Sequence, residues 1–303
     1  MKENPAVIAL VIPAAPAIQL DVLKSANSQT RPVQTIVEEG SNPSANRNRG
    51  AARAATPLVA FSNAHTILQN DWAQKAETFL SQHPQIDIVG GPQLNYSGDS
   101  YFAKANGDAL ASPFCTGKMS RRYRAASLDL NADESSLTSA NLICRRHVFE
   151  KVQFDERLYP GEDPKFITDA KKAGFKLAYF PEIVVFNRRR KNLLALGKQI
   201  SNYGAARVQK ETLLELLRHP TFFAPAMIVI YLVLLPALLF WNPLWLSPLL
   251  FYFVPALFFA IKRAAECRRA EYAFILPPLF LWIHLCYGIG FLQRLLRSGF
   301  GSA

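Results

Sequence analysis

The chain has few cysteines, and none of them stands in a pattern that binds metal or builds a disulfide framework. Its four cysteines are widely spaced among 303 residues, without a CxxC pair and without a histidine at ligand spacing. Zinc sites and disulfide-rich scaffolds are therefore disfavoured. We expect reduced, buried thiols at Cys115, Cys144, Cys267 and Cys286.

Common nucleotide-binding and secretion motifs are also missing. No GxGxxG follows the first apolar run, which argues against a dinucleotide-binding oxidoreductase. GKMS at 117–120 lacks the upstream glycine of a Walker phosphate loop, and Met119 displaces the hydroxyl residue. Residues 1–5 lead into an apolar strand without the basic region or cleavage site of a signal peptide, so no secretory signal is expected.

Charge is absent from two long stretches near the C-terminus. Thr221–Ile261 and Tyr272–Gln293 contain no Asp, Glu, Lys or Arg. About 20 apolar residues cross a bilayer, so the first stretch can hold two spans, and a turn flanked by tryptophans at 241–245 divides it. A buried hairpin in a soluble protein is the alternative. The sequence predicts three transmembrane helices, near 222–241, 244–261 and 272–293.

Positive charge is concentrated beside these spans. The chain carries a net charge of +11 at pH 7, and its basic residues cluster before the first span and between the second and third. This positive-inside pattern predicts a multi-pass protein of the inner (cytoplasmic) membrane, with the N-terminal 220 residues in the cytoplasm. It also favours anionic membrane lipids over nucleic acid as a partner. The residues are Arg188–Lys191, Lys198, Arg207, Lys210, Arg218, Lys262, Arg263, Arg268 and Arg269.

Apolar strands alternate with helical segments over the first 90 residues. The alternation predicts an α/β sheet with parallel strands. Because ligands in such folds bind at the carboxyl ends of the strands, the polar residues there are site candidates. The strands are predicted at 6–13, 33–37, 58–61 and 86–89, and the helices at 18–28, 46–55 and 70–81.

The rest of the soluble region is less regular. Residues 96–132 are polar and aromatic without a clear period, and we expect an insertion or lid there. A strand is predicted at 142–144, a helix at 162–173 and strands within 176–185. Residues 193–217 have helical apolar spacing with basic residues between, which predicts a helix on the membrane surface.

The stretch YPGEDPKF places two adjacent carboxylates, Glu162 and Asp163, at the start of a predicted helix. Two interpretations are open. Carboxylates in the first turn stabilise a helix through its dipole, whereas a carboxylate presented where a loop meets a helix can act as a general base.

The order and spacing of these segments resemble a known family. The segments are VIALVIP, TIVEEGS, NRNRGAARAATPLVAF, NDW, IVGGPQL, TSANLICRR, FDERLYPGED and FPEIVVFNRRR, followed by the three spans and YGIGF. Together they resemble family 2 glycosyltransferases of the GT-A fold, in the bacterial subgroup with membrane spans after the catalytic domain. The resemblance implies an α/β, GT-A-like (Rossmann-like) mixed-sheet domain over 1–190, an amphipathic interfacial helix region over 191–220 and a transmembrane region over 221–303.

The same resemblance implies an inverting glycosyltransferase. Such an enzyme would move a sugar from a nucleotide-sugar donor to a lipid-linked or membrane-proximal acceptor, in envelope polysaccharide or glycolipid synthesis. Asp163, with Glu162 beside it, matches the base that deprotonates the acceptor hydroxyl, and Ser139 and Asn141 match the acceptor side. The matching donor-site positions are Glu38, Glu39, Arg47, Asn48, Asn63 and His65.

The metal site departs from the family pattern. The family places an Asp-x-Asp motif where this chain has Asn63-Ala64-His65, and often a histidine where it has Asn187. Mg²⁺ is poorly served by this set, whereas His65 could ligate Mn²⁺ or a softer metal. Alternatively, arginines neutralise the diphosphate without a metal, and the candidates are Arg188, Arg189, Arg190, Arg47 and Arg49. A catalytically silent subunit that binds or scaffolds a membrane assembly is the competing hypothesis.

Overall fold

The protein is described by a computed structural model over residues 6–210 and 220–299. These residues form two units. The first runs to Asp99 and resumes over Lys118–Arg189, and the second combines Ser100–Gly117 with the described residues from Arg190 onward. The domain boundaries near residues 190 and 220 remain predictions, and residues 211–219 of the predicted surface helix lie outside the described residues.

The two units contain nine described strands and ten described α-helices, numbered in chain order. The strands are β1 (Ile8–Ala14), β2 (Val33–Glu39), β3 (Leu58–Phe61), β4 (Thr66–Leu68), β5 (Ile88–Gly90), β6 (Gln93–Asn95), β7 (Leu142–Arg145), β8 (Leu177–Tyr179) and β9 (Val185–Asn187). The helices are α1 (Asp21–Ala26), α2 (Pro43–Arg53), α3 (Trp72–Gln82), α4 (Tyr101–Leu110), α5 (Pro113–Thr116), α6 (Glu162–Lys172), α7 (Leu193–Lys210), α8 (Ala224–Trp241), α9 (Ser247–Cys267) and α10 (Tyr272–Gly299). Short 3-10 helices cover Gly117–Tyr123, Arg146–Glu150, Pro220–Phe222 and Pro243–Leu246.

The first unit is built on a mixed sheet, which confirms the predicted fold class. Its strand order is β2-β1-β3-β7-β5-β8. Strand β7 runs antiparallel to β3 and β5, and the other neighbours are parallel. Apolar side chains on both faces of the sheet are buried in two clusters. Because β1, β2 and β3 run in one direction, their carboxyl ends lie at the same edge.

A second, smaller sheet has the strand order β4-β9-β6. Its strand β4 comes directly after the turn that follows β3. Strands β4 and β9 are antiparallel, with Thr66 opposite Asn187. This register places the turn at 63–65 beside the chain that continues from Asn187. The two positions at which the chain departs from the family pattern are therefore neighbours.

Several elements differ from the sequence prediction. Residues 96–132 are not irregular throughout, because they include α4, α5 and a 3-10 helix. Most of α4 is buried, so its apolar residues show no single stripe. The strands expected within 176–185 become β8 and β9, which belong to different sheets. Strands β4 and β6 have three residues each, too few for an alternating pattern to reveal them.

The second unit contains three helices long and apolar enough to cross a membrane, as predicted. They span Ala224–Trp241, Pro243–Cys267 and Tyr272–Arg297; few residues of the first two are buried, whereas half of the third is buried. The third packs against α7, α8 and α9. A Cβ on Gly290 would overlap the backbone oxygen of Ser201 in α7. Glycine at this position therefore allows the two helices to approach closely.

Candidate active site

The carboxyl ends of the first three strands carry the polar residues that the sequence indicates. Glu38 and Glu39 close β2 and pair with the last two residues of β1. Phe61 closes β3 opposite Val11 of β1, and the turn at 62–65 follows it. The sheet thus gathers the acidic pair and this turn along one edge.

Arg47 of α2 and Glu162 at the start of α6 form a buried ion pair. Arg47 Nη1 lies 3.0 Å from Glu162 Oε1, and the two side chains are 5% and 7% exposed. The same nitrogen lies 4.0 Å from Asp163 Oδ1. Burial, followed by the charge of Asp163, raises the pKa of Glu162 to about 7, although Arg47 opposes this shift. Glu162 therefore changes its charge near neutral pH.

Asp163 is oriented by the loop that precedes β7. Its Oδ2 accepts a hydrogen bond from the Ser139 backbone N–H at 3.2 Å, while its Oδ1 is buried without a hydrogen-bond partner. The Ser139 hydroxyl is also buried without a partner. The Asp163 side chain is 22% exposed, so the carboxylate as a whole remains reachable. Buried polar atoms normally have partners, which makes this pair of orphaned atoms unusual.

Asn141 lies two residues beyond Ser139, and its amide is fully occupied within the protein. Its Oδ1 accepts a hydrogen bond from Trp72 Nε1 at 2.8 Å. Its Nδ2 donates to the carbonyl oxygens of Ile183 at 2.7 Å and Pro92 at 3.3 Å. Trp72 is a supporting residue that sequence reasoning missed. The signal was the NDW stretch, because a buried indole N–H needs an acceptor.

Glu38 is neutralised by two arginines of α2. Arg49 Nε lies 3.2 Å from Glu38 Oε2, and Arg53 Nη1 contacts the other oxygen. Burial raises the pKa of Glu38, but hydrogen bonds and charges from Arg53 and Arg49 outweigh it and hold the pKa below its ordinary value. Glu39 is exposed, and its backbone oxygen accepts a hydrogen bond from Arg49.

Helix α2 also ties together the loops around the site. The Asn48 amide donates to the backbone oxygen of Phe154 and accepts from its N–H, both at 2.9 Å. Asn46, which sequence reasoning did not single out, is buried and donates to the backbone oxygens of Ala14 and Gly40. These bonds fix α2 against the end of β1 and the loop before α6. A donor contact for Asn48 remains a prediction.

The turn at 63–65 shares one carboxylate with Arg188. His65 Nδ1 lies 3.1 Å from Asp21 Oδ2, and Arg188 Nε lies 3.5 Å from the same oxygen. Asn187 donates to Gln93 Oε1 at 2.9 Å. The β4–β9 pairing therefore brings a histidine, a carboxylate and a guanidinium together beside Asn63.

The described residues at this corner do not by themselves form a complete site for a divalent cation. His65 and Asp21 supply only two donors, and across residues 6–210 and 220–299 no three His, Cys, Asp or Glu side chains gather at one point. Arg188 also places a permanent positive charge at the Asp21 carboxylate, and that charge repels a cation.

The other two candidate arginines have different surroundings. Arg189 contacts the backbone oxygen of Gln93 and stacks over the Tyr123 ring, 5.0 Å from its centroid. Arg190 belongs to the second unit and donates to Gln199 Oε1 at 3.2 Å. Of the three, Arg188 is the one whose ion pair joins the 63–65 turn.

The chain resembles known proteins in family and in fold. A family model described as glycosyltransferase like family 2 matches residues 7–220. Among solved structures, the mannosyltransferase PcManGT from Pyrobaculum calidifontis, in complex with GDP-Man and Mn²⁺, aligns with a TM-score of 0.56 at 11% identity, covering 97% of this chain and 88% of that chain. At this identity the likeness shows the fold alone.

A second group of structures is more distant. S. aureus TarS 1-349 in complex with UDP-GlcNAc aligns with a TM-score of 0.49 at 13% identity, covering 96% of this chain and 92% of that chain. A longer S. aureus TarS structure gives a TM-score of 0.47 at 11% identity, covering 67% of this chain and 42% of that chain. No curated protein sequence matches the chain.

Proposed function

The chain belongs to the glycosyltransferase like family 2, and we propose that it is a membrane-anchored inverting transferase. It moves a sugar from a nucleotide-sugar donor to a lipid-linked or membrane-proximal acceptor, for envelope polysaccharide or glycolipid synthesis. The basic residues beside the spans support a catalytic domain on the cytoplasmic side of the inner membrane.

The geometry of Asp163 carries this proposal. Inversion by direct displacement needs a base that takes the proton of the acceptor hydroxyl as its oxygen attacks the anomeric carbon. Asp163 stands at the start of α6, anchored by the Ser139 N–H, with Oδ1 and the Ser139 hydroxyl left without partners. As the new C–O bond forms, the bond to the diphosphate breaks, and the proton passes to Asp163.

The buried Arg47–Glu162 pair supports the base from within the protein. Arg47 Nη1 contacts Glu162 and lies 4.0 Å from Asp163 Oδ1, so its positive charge lies beside both carboxylates. A side chain held by an ion pair also keeps its rotamer, which preserves the geometry that displacement requires.

Arg188 is the candidate to neutralise the diphosphate leaving group. Its side chain is 42% exposed and shares Asp21 with His65. A guanidinium can donate two parallel hydrogen bonds to phosphate oxygens. Its place beside the 63–65 turn, where the family pattern has Asp-x-Asp, supports charge neutralisation without a metal.

A thermal-shift screen of nucleotide sugars, with and without Mg²⁺ or Mn²⁺, tests this function on the purified full chain. We expect at least one nucleotide sugar to raise the melting temperature in EDTA, since a ligand that binds only the folded state stabilises it. The shift should shrink in Arg188→Gln and persist in Arg157→Gln, because Arg157 is exposed and its ion pair is with Asp155. If no nucleotide sugar shifts the melting temperature under any condition, the scaffold hypothesis is favoured.

A further inference from the structure

An uncharged stretch in the chain lies within the membrane-spanning unit. From Ala109 to Gly117 there is no charged residue, although Asp108 and Lys118 flank the stretch on either side. It contains the end of α4 and all of α5. Ser100–Gly117 groups with the spanning helices and not with the sheet that precedes and follows it in sequence. The second unit therefore includes this segment as well as α7 and the three spans.

Asp108 lies where this segment changes from charged to uncharged residues. It is 6% exposed; its Oδ1 lies 2.6 Å from Arg263 Nη2, and its Oδ2 accepts a hydrogen bond from the Tyr272 hydroxyl at 2.9 Å. Arg263 is near the end of α9, and Tyr272 begins α10. The network therefore lies at the charged loop that joins the second and third spans.

Phe114, at the tip of the segment, lies much deeper along the spans. Its ring centroid is 5.3 Å from Tyr252, 5.9 Å from Phe259, and 5.5 Å from both Phe280 and His284. At a rise of 1.5 Å per residue, Phe280 and His284 are roughly 12 and 18 Å along α10 from Tyr272. Phe259 and Tyr252 are roughly 6 and 16 Å along α9 from Arg263, so Phe114 lies between these depths. The hydrocarbon core of a bilayer is about 30 Å thick, so these rings surround Phe114 inside it.

Several backbone groups of the tip have hydrogen-bond partners, which favours a hydrocarbon environment because unpaired backbone groups are costly against lipid. The N–H groups of Cys115 and Thr116 donate to the Ser112 oxygen, and the Thr116 hydroxyl donates to the Leu110 oxygen at 2.7 Å. The Cys115 oxygen accepts a hydrogen bond from His284 Nε2 at 3.2 Å. His284 thus pairs a carbonyl that helix α5 leaves free.

We propose that Ser100–Gly117 is a re-entrant element that dips into the bilayer. It enters from the face that carries the loop between α9 and α10, places the tip of α5 in the hydrocarbon core beside α9 and α10, and returns to the same face. Its partners are the hydrocarbon chains of membrane lipids, which contact the exposed Pro113. The inference concerns membrane insertion and is independent of the reaction proposed above.

Spin labelling in liposomes of phosphatidylcholine and phosphatidylglycerol tests this insertion. The four native cysteines are replaced by alanine in the full chain, and a nitroxide is attached to Pro113→Cys, Phe251→Cys or Ser127→Cys. Phe251 is 80% exposed on a spanning helix, and Ser127 is exposed in the first unit. We expect the collision rates of the Pro113 label to match those of the Phe251 label, with frequent collisions with oxygen. Its collision rate with a water-soluble nickel chelate should be several-fold below that of the Ser127 label. A Pro113 label that collides with nickel as often as the Ser127 label would overturn the proposal.

The unmodified chain provides a second readout that does not depend on the variants folding. A hydrophobic carbene reagent dissolved in the bilayer is photolysed, and the labelled tryptic peptides are identified by mass spectrometry. The peptide 105–118 should be labelled, whereas 177–188 from the first unit should not be. Equal, background-level labelling of the two peptides would contradict insertion.

Discussion

Arg47 Nη1 lies 3.0 Å from Glu162 Oε1, and neither side chain is more than 7% exposed. Removing one partner of a buried ion pair leaves the other unpaired. We therefore expect Arg47→Met to lower the free energy of unfolding by about 3 kcal/mol. The double variant Arg47→Met/Glu162→Gln should recover part of the loss because it leaves no buried charge. Thermal melting of the purified chain in detergent measures both, and a single variant as stable as the wild type would contradict the ion pair.

Stability should depend on pH through Glu162. Its pKa of about 7 in the folded protein is above the ordinary value of 4.5. Between these values the folded state holds the proton more tightly than the unfolded state does, so this contribution is fully present below pH 4.5 and is lost as the pH rises to about 7. The melting temperature of Glu162→Gln relative to wild type should therefore rise across this window. Parallel melting curves for the two proteins at every pH would exclude the shifted pKa.

Asn141→Ala should destabilise the loop that precedes β7. The substitution leaves the Trp72 indole N–H and the carbonyl oxygens of Ile183 and Pro92 without their partner. With a cost of about 1–3 kcal/mol for an unsatisfied buried group, we expect a total loss of about 2–4 kcal/mol. Asn131→Ala is the matched control, since Asn131 is exposed, and it should change stability by less than about 0.5 kcal/mol. Equal melting temperatures for the two variants would argue against this role of Asn141.

Transfer should proceed without a metal and depend on Arg188. Within the described part of the chain, no three His, Cys, Asp or Glu side chains gather near His65, and we propose Arg188 as the group that binds the diphosphate. We expect activity to persist in EDTA and to fall about 100-fold in Arg188→Gln, a loss comparable to removing one donor to developing charge. Arg157→Gln should keep its activity. Loss of transfer in EDTA that Mn²⁺ restores, together with loss of that response in His65→Ala, would instead establish His65 as a ligand.

Long patterns in the sequence predict the fold well, but they do not predict which residue a single side chain contacts. The spans and the parallel strands are predictable because continuous apolar runs report burial directly. Helix α4 and the tip at Phe114 are not predictable in this way, because a segment buried by other helices shows no amphipathic period of its own. The pairing of Trp72 with Asn141 joins residues 69 positions apart, and that of His65 with Asp21 joins residues 44 apart. Such contacts depend on how strands and loops meet, which no local pattern encodes.

The buried Arg47 illustrates the same limit within the site. The resemblance to family 2 assigns it to the donor, and the structure places its guanidinium against Glu162 and near Asp163. Its charge is a property of the sequence, but the carboxylates that surround it lie 115 and 116 positions further along the chain. The proposed role of Arg47 beside the base therefore depends on a contact that forms only when α2 and α6 are brought together.

The most direct test of the proposed function is transfer by Asp163→Asn. The amide keeps the size of the side chain but cannot take the proton of the acceptor hydroxyl, so transfer should fall by roughly 10²–10⁴-fold. The thermal shift caused by the nucleotide sugar should remain. Asp169→Asn, on the same helix, loses only a partly exposed ion pair with Lys165 and should stay active. Wild-type transfer by Asp163→Asn would contradict the assignment of Asp163 as the base, whereas loss of transfer with donor binding intact is the result that the proposed function predicts.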